Sequence, residues 1–172
     1  IRDSGIHTVI STKVLSMAGE FKNNHILIGP DVWRYDEPNP EFTEDAHLFK
    51  SWRVKAAQEG LRIKVGRWNV AGNPVVILVD FTTFIPQKDQ ILTSFWEKFQ
   101  VDSLTGQWDY IEPVLFGFTA GKVIESFVRY HIFSRQRIIA QFHEWMTGSG
   151  MLYLKNALPQ VCLLYTSPSP RD

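Results

Sequence analysis

One cysteine, Cys162, among 172 residues leaves no partner for an internal disulfide and no thiolate cluster for a metal. Such thiol usage fits a reduced, cytosolic setting. Charge of one sign is missing too: 18 Lys and Arg balance 18 Asp and Glu, so nothing in the charge argues for a nucleic-acid or membrane partner. No apolar run nears the roughly 18 residues that would argue a membrane span, and the front of the chain has no secretory pattern. There is no internal repeat, and low complexity is confined to the last few residues. Glycine-rich phosphate loops and the Gly-x-Gly-x-x-Gly fingerprint are absent. Large rings are plentiful instead: six Trp and twelve Phe imply a core built around aromatic side chains.

Periodicity divides the chain into short apolar runs and helical stripes. Ile6, Val9, Ile10, Val14 and Leu15 recur at helical spacing, predicting a helix over 5–21 with Ser4 as its cap. A short strand over 25–30 is stopped by Gly29-Pro30, and 31–45, with Pro38 and Pro40, reads as a loop. A helix over 46–59 is closed by Gly60. Residues 61–70 alternate as a strand does, and 75–80 is a near-continuous β-branched run typical of a central strand covered on both faces. The Asn73-Pro74 turn is too short for a parallel crossover, so these two strands pair as a hairpin. Helices are predicted over 88–99, over 112–133 with Pro113 in the first turn, and over 148–158. The stripe of the long helix is read as Phe116, Ala120, Ile124, Phe127 and His131. Another strand falls on 137–142, and a further one opens at 159–161. Strands alternating with helices imply an α/β fold with a mainly parallel sheet.

His143-Glu144-Trp145 is the leading chemical candidate, because it directly follows a strand and ligands of open α/β sheets lie beyond strand carboxyl ends. His and Glu can hydrogen-bond sugar hydroxyls, and Trp can stack on a sugar face. The competing reading is a buried polar pair that caps the next helix. Arg2 and Gly5 open the first helix, where backbone amides and the helix dipole favour an anion; an ordinary cap explains them as well. His131 reads as a packed core residue, and Asp80 as a strand-end acid. Gly148-Ser149-Gly150 lacks the glycine spacing of a nucleophile elbow. No histidine pair has metal-ligand spacing.

Four segments, in order and in register, resemble glycogen synthases of the animal and fungal type, a family with bacterial members. Arg2-Asp-Ser-Gly-Ile-His-Thr-Val-Ile10 resembles the family's Arg/Lys-Val-Gly-Gly-Ile-Tyr-Thr-Val-Leu, and His25-Ile-Leu-Ile-Gly-Pro30 resembles its His-Leu-Ile-Gly-Pro strand. Val65-Gly-Arg-Trp68 with Val75-Val-Ile-Leu-Val-Asp80 resembles its Tyr-Gly-Arg-Trp and Val-Ile-Leu-Phe-Asp pair. Ala140-Gln-Phe-His-Glu-Trp145 followed by Gly148 resembles Ala-His-Phe-His-Glu-Trp-Leu-Ala-Gly. Ser4 stands where the family has its first glycine, Asp3 where it has an apolar residue, and Gln141 where it has a His.

The resemblance implies a glycosyltransferase B (GT-B) fold of two Rossmann-like halves, of which 1–161 would be part of the first. It implies retaining transfer of glucose from a nucleotide-glucose donor, taken as uridine-diphosphate glucose, to the non-reducing end of an α-1,4-glucan. The nucleotide sugar is a substrate, and no metal or other cofactor is implied. By position, Arg2 and Gly5 match the donor-phosphate loop, and His143 and Glu144, with Trp145 beside them, match the sugar cleft. The family's strand before the glycine loop, and the His-bearing segment after 161, have no counterpart. Residues 162–172 instead resemble the translation of a sequencing-library adapter, so they are expected to be non-native, although 161–166 is apolar enough to imitate the lost strand. The chain alone is expected to be inactive and poorly stable; an oligomeric parent is left open. Two alternatives remain at this point: a non-catalytic α/β module that binds glucan or a protein, and another nucleotide-sugar transferase of the same fold.

Overall fold

The computed structural model describes residues 25–32, 40–99, 108–131, 139–143, 148–159 and 161–166. The predicted helix over 5–21 lies outside them. The described elements are mixed α/β. β1 (Ile26–Pro30), β2 (Phe42–Glu44), β3 (Ile63–Trp68) and β4 (Val75–Val79) form one sheet in the order β1-β4-β3-β2. β5 (Ile139–His143) and β6 (Cys162–Thr166) form a separate two-stranded sheet. The helices are α1 (Lys50–Gln58), α2 (Lys88–Phe99), α3 (Trp108–His131) and α4 (Gly148–Ala157), with a 3-10 helix over Phe81–Gln87 leading into α2.

β4 is central, as its β-branched run requires: Val75, Val76, Ile77 and Val79 are all buried. It pairs in parallel with β1 and antiparallel with β3. Asn73 and Gly72, both at positive φ, make the hairpin turn, and the Trp68 amide donates to the Pro74 carbonyl at 3.1 Å. In register, Ile26, Ile28, Ile63, Val65, Val75, Ile77 and Val79 share one sheet face. That face joins Trp52 of α1, Phe81 and Phe84 of the 3-10 helix, Ile91, Leu92 and Phe95 of α2, and Leu115 of α3 in one core.

The expected mainly parallel sheet is corrected to an even mixture: two pairings among the described residues are parallel and two antiparallel. The added antiparallel pairing comes from β2, inside the stretch read as a loop. Its three residues are too few to show alternation, and what admits them is Gly66 on β3. A Cβ there would stand 2.1 Å from the Thr43 carbonyl oxygen and 2.8 Å from Glu44 Cα, so only glycine lets the two backbones approach. An ion pair of Arg53 with Glu44 (2.9 Å) and a bond from Arg53 to the Asp45 carbonyl (2.9 Å) tie β2 to α1.

α1 starts four residues later than predicted, because Phe49 takes a left-handed conformation (φ 50°) and interrupts the first turn. A bulky residue there costs about 1–2 kcal/mol. The ring contacts that hold it are edge-on against Phe127 (4.9 Å), Trp52 (6.4 Å) and His131 (5.9 Å). Gly60 (φ 80°) closes the helix as expected.

α3 starts earlier than predicted, so Pro113 lies inside the helix rather than in its first turn and removes one backbone donor. Its buried line is also rotated: Leu115, Thr119, Val123 and Ser126 are the most buried, and of the predicted stripe Ala120 is buried while Phe116, Ile124, Phe127 and His131 are half-buried. The helix has neighbours on several sides, so a single stripe could not describe it. Phe116 meets Phe81 at 6.3 Å and Phe127 meets Trp52 at 5.1 Å. α3 packs most extensively on α4, where Gly121 brings the helices close: a Cβ there would lie 3.0 Å from Tyr153 Cδ1 and 3.2 Å from the Gly150 carbonyl oxygen.

β5 and β6 run parallel in the register Ile139↔Cys162 to His143↔Thr166. A second cluster of Val128, Ala140, Leu154, Leu158 and Val161 backs them. Residues 161–166 thus occupy a strand position, as their apolar, β-prone character allowed.

Replacing Gly66 with Ala should destabilise the chain by about 1–3 kcal/mol, the usual range for a forced overpacking. Urea unfolding of the two proteins measures the difference, and amide exchange should quicken first in 42–45.

Candidate functional site

β1 and β4 are parallel, so both carboxyl ends reach the same sheet edge, at Asp31 and Asp80. The Asp31 amide donates to the Val79 carbonyl at 2.8 Å. One Asp31 carboxylate oxygen pairs with Lys64 Nζ at 3.0 Å, across the intervening β4; the other is buried with no hydrogen-bond partner. Asp80, read from sequence as a strand-end acid, is engaged locally: its carboxylate accepts from the Thr82 amide (3.0 Å) and the Thr82 hydroxyl, which caps the 3-10 helix. Asp31 escaped notice in the sequence because it lay within the presumed loop. His25, just before β1, is half-buried, and burial lowers its pKa from the ordinary histidine value.

Of the residues singled out from the sequence, His143 is the last residue of β5 and pairs with Thr166 in the parallel register. Arg2, Gly5, Glu144 and Trp145 lie outside the described residues. His131 is packed as expected: its Nδ1 is 2.7 Å from the Phe127 carbonyl, and its ring lies 4.2 Å from that of Phe127. Ser149 is no nucleophile, since its hydroxyl donates to the Val114 carbonyl at 2.9 Å and fastens the start of α4 to α3. Among the described residues no group of three or more His, Cys, Asp or Glu could hold a metal ion, and no helix is long and apolar enough to cross a membrane.

The structure adds a polar centre between α3 and α4. The Tyr153 hydroxyl donates to Glu125, whose other carboxylate oxygen accepts from Arg129 Nε at 3.1 Å. Arg129 also donates to the Ala157 carbonyl at 3.1 Å, at the end of α4. Burial first, then the hydrogen bond to Glu125, pushes the Tyr153 phenol far above the usual tyrosine pKa. The Glu125–Arg129 spacing of four residues was visible in the sequence; the partner from α4 was not.

A family model for glycogen synthase matches residues 2–169, which span every element above and all five candidate residues. The chain belongs to the glycogen synthase family. Its similarity to curated relatives is remote but extends along nearly the whole chain. It is 28% identical over 164 residues to the liver glycogen [starch] synthase of Rattus norvegicus, covering 95% of this chain and 23% of that protein. It is 25% identical over 174 residues to the glycogen [starch] synthase of Neurospora crassa, covering 96% and 23%. To glycogen [starch] synthase isoform 2 of Saccharomyces cerevisiae it is 23% identical over 175 residues, covering 96% and 24%. The chain therefore spans about a quarter of the length of these glycogen synthases.

The raised pKa of Tyr153 means that its contribution to stability is complete below about pH 10, the ordinary tyrosine value, and is lost as pH rises above it. Thermal melts should show Tyr153→Phe less stable than the unmodified chain by a constant margin up to about pH 10. That margin should narrow at higher pH.

Proposed function

We propose that the chain is part of the N-terminal Rossmann-like half of a GT-B glycogen synthase. In this reading the parent is a cytoplasmic enzyme that moves glucose, with retention at the anomeric carbon, from a nucleotide-glucose to the non-reducing end of an α-1,4-glucan. Nucleotide sugar and glucan are its partners, with uridine-diphosphate glucose as the donor; no metal or other cofactor is assigned. The observation that carries the reading is the match to the family over 2–169. It does not favour a non-catalytic glucan-binding or docking module.

Arg2 and Gly5 are assigned to the donor phosphates, where a helix N-terminus and a guanidinium suit an anion. His143, Glu144 and Trp145 are assigned to the sugar cleft. The position of His143 supports this, because it is the last residue of β5 and strand ends are where α/β folds hold ligands. Residues 162–172 are assigned to a non-native tail, which resequencing the locus with another library chemistry tests. The 172-residue chain by itself is inactive in this reading, since about three quarters of the length of its relatives is not in it.

Purified full-length gene product should extend a glycogen primer when supplied with uridine-diphosphate glucose. Failure with this donor and with adenosine-diphosphate glucose would reject the reading. In the same assay His143→Ala should lower the rate about tenfold to a hundredfold, the loss of one to two strong hydrogen bonds in the cleft. The 172-residue chain should give no incorporation.

A further inference from the structure

Outside the strand-end residues, α1, α3 and α4 enclose a small pocket of about 100 Å³. Its floor is a polar line on α3: Lys122, Glu125, Ser126 and Arg129 stand at i, i+3, i+4 and i+7 and so share a face. Two of these charges already answer each other. Glu125 is held by Arg129 and the Tyr153 hydroxyl, and Arg129 is further fixed by the Ala157 carbonyl. Lys55 and Lys122 differ. Neither has a carboxylate partner among the described residues: Lys55 Nζ lies 5.9 Å from the Tyr130 ring centre, and Lys122 Nζ lies 5.7 Å and 5.6 Å from those of Phe84 and Phe118. The one opposing carboxylate left in the lining, Glu59, is on an exposed residue.

Ser126 supplies the second observation. It is 3% exposed, and its oxygen accepts the Trp52 indole N–H at 3.1 Å. Its hydroxyl proton is thereby free to be donated, and no acceptor among the described residues takes it. A buried hydroxyl donor in a pocket also lined by two lysines that have aromatic neighbours but no carboxylate partner among the described residues suits an acceptor carrying negative charge. We propose that this pocket binds a small tetrahedral oxyanion, either inorganic phosphate or the phosphate of a monoester, through Lys55, Lys122 and the Ser126 hydroxyl. A pocket of about 100 Å³ has room for one such group, and the rest of an ester would extend toward solvent.

Equilibrium dialysis of the full-length gene product at constant ionic strength tests this, with labelled inorganic phosphate in one arm and labelled glycerol phosphate in the other. Saturable binding that depends on the lysine pair is expected in at least one arm. Replacing both lysines (Lys55→Gln with Lys122→Gln) should weaken it tenfold or more, and Lys98→Gln, on the exposed side of α2, should leave it unchanged. Ser126→Ala should weaken it several-fold. Because that variant also loses the bond to Trp52, the lysine pair carries the decision, with far-UV circular dichroism confirming its fold. The arm that binds more tightly identifies the source of the phosphate. No saturable binding in either arm, equal affinity in the double lysine variant, or an equal loss in Lys98→Gln would overturn the proposal, leaving a water-filled pocket.

Discussion

β4 has to satisfy both edges and bury most of both faces within five residues, and its neighbours are arranged around that requirement. Its run of Val and Ile has no polar side chain to turn outward, so strands must lie on both sides and a helical layer must cover one face. β1 and β3 supply the edges. α1, α2, α3 and the 3-10 helix supply the cover through Trp52, Phe81, Phe84, Phe95 and Leu115. Even the capping by Asp80 belongs to this arrangement, because it turns the chain directly from the end of β4 into the helix that roofs the same face.

Features set by a few adjacent residues were legible in the sequence. The hairpin followed from the short Asn73-Pro74 connection, the end of α1 from Gly60, the span of α2 from its apolar stripe, and the centrality of β4 from its composition. Features set by contacts far apart in sequence were not. β2 exists because Gly66, more than twenty residues later, leaves room for it. α1 starts late because Phe49 is drawn into rings from α3. The buried line of α3 is rotated because sheet, α1 and α4 meet it from different directions, a case in which a one-face periodicity fails.

The candidate site was legible in a different way. Short motifs pointed to the family, and the family match bears that out across 2–169. Individual roles depend on side chains brought together from distant segments, and of the five candidates only His143 falls among the described elements. The polar centre of Glu125, Arg129 and Tyr153 went unnoticed for the same reason. Two of its members are neighbours on one helix, but the third arrives from α4 only after folding.

The glycine contact between α3 and α4 has a consequence for how the molecule opens. With Gly121 leaving no room for a side chain against the Gly150 backbone and the Tyr153 ring, and Ser149 and Arg129 fastening the two ends of α4 to α3, the helices have little freedom to slide. They must part as a unit or not at all. Slow amides in the middle of α3 would then report on the opening of α4 as well, so the pair would behave as one cooperative block. α4 follows closely on the strand that ends at His143, so that block would also set how far this strand end can move.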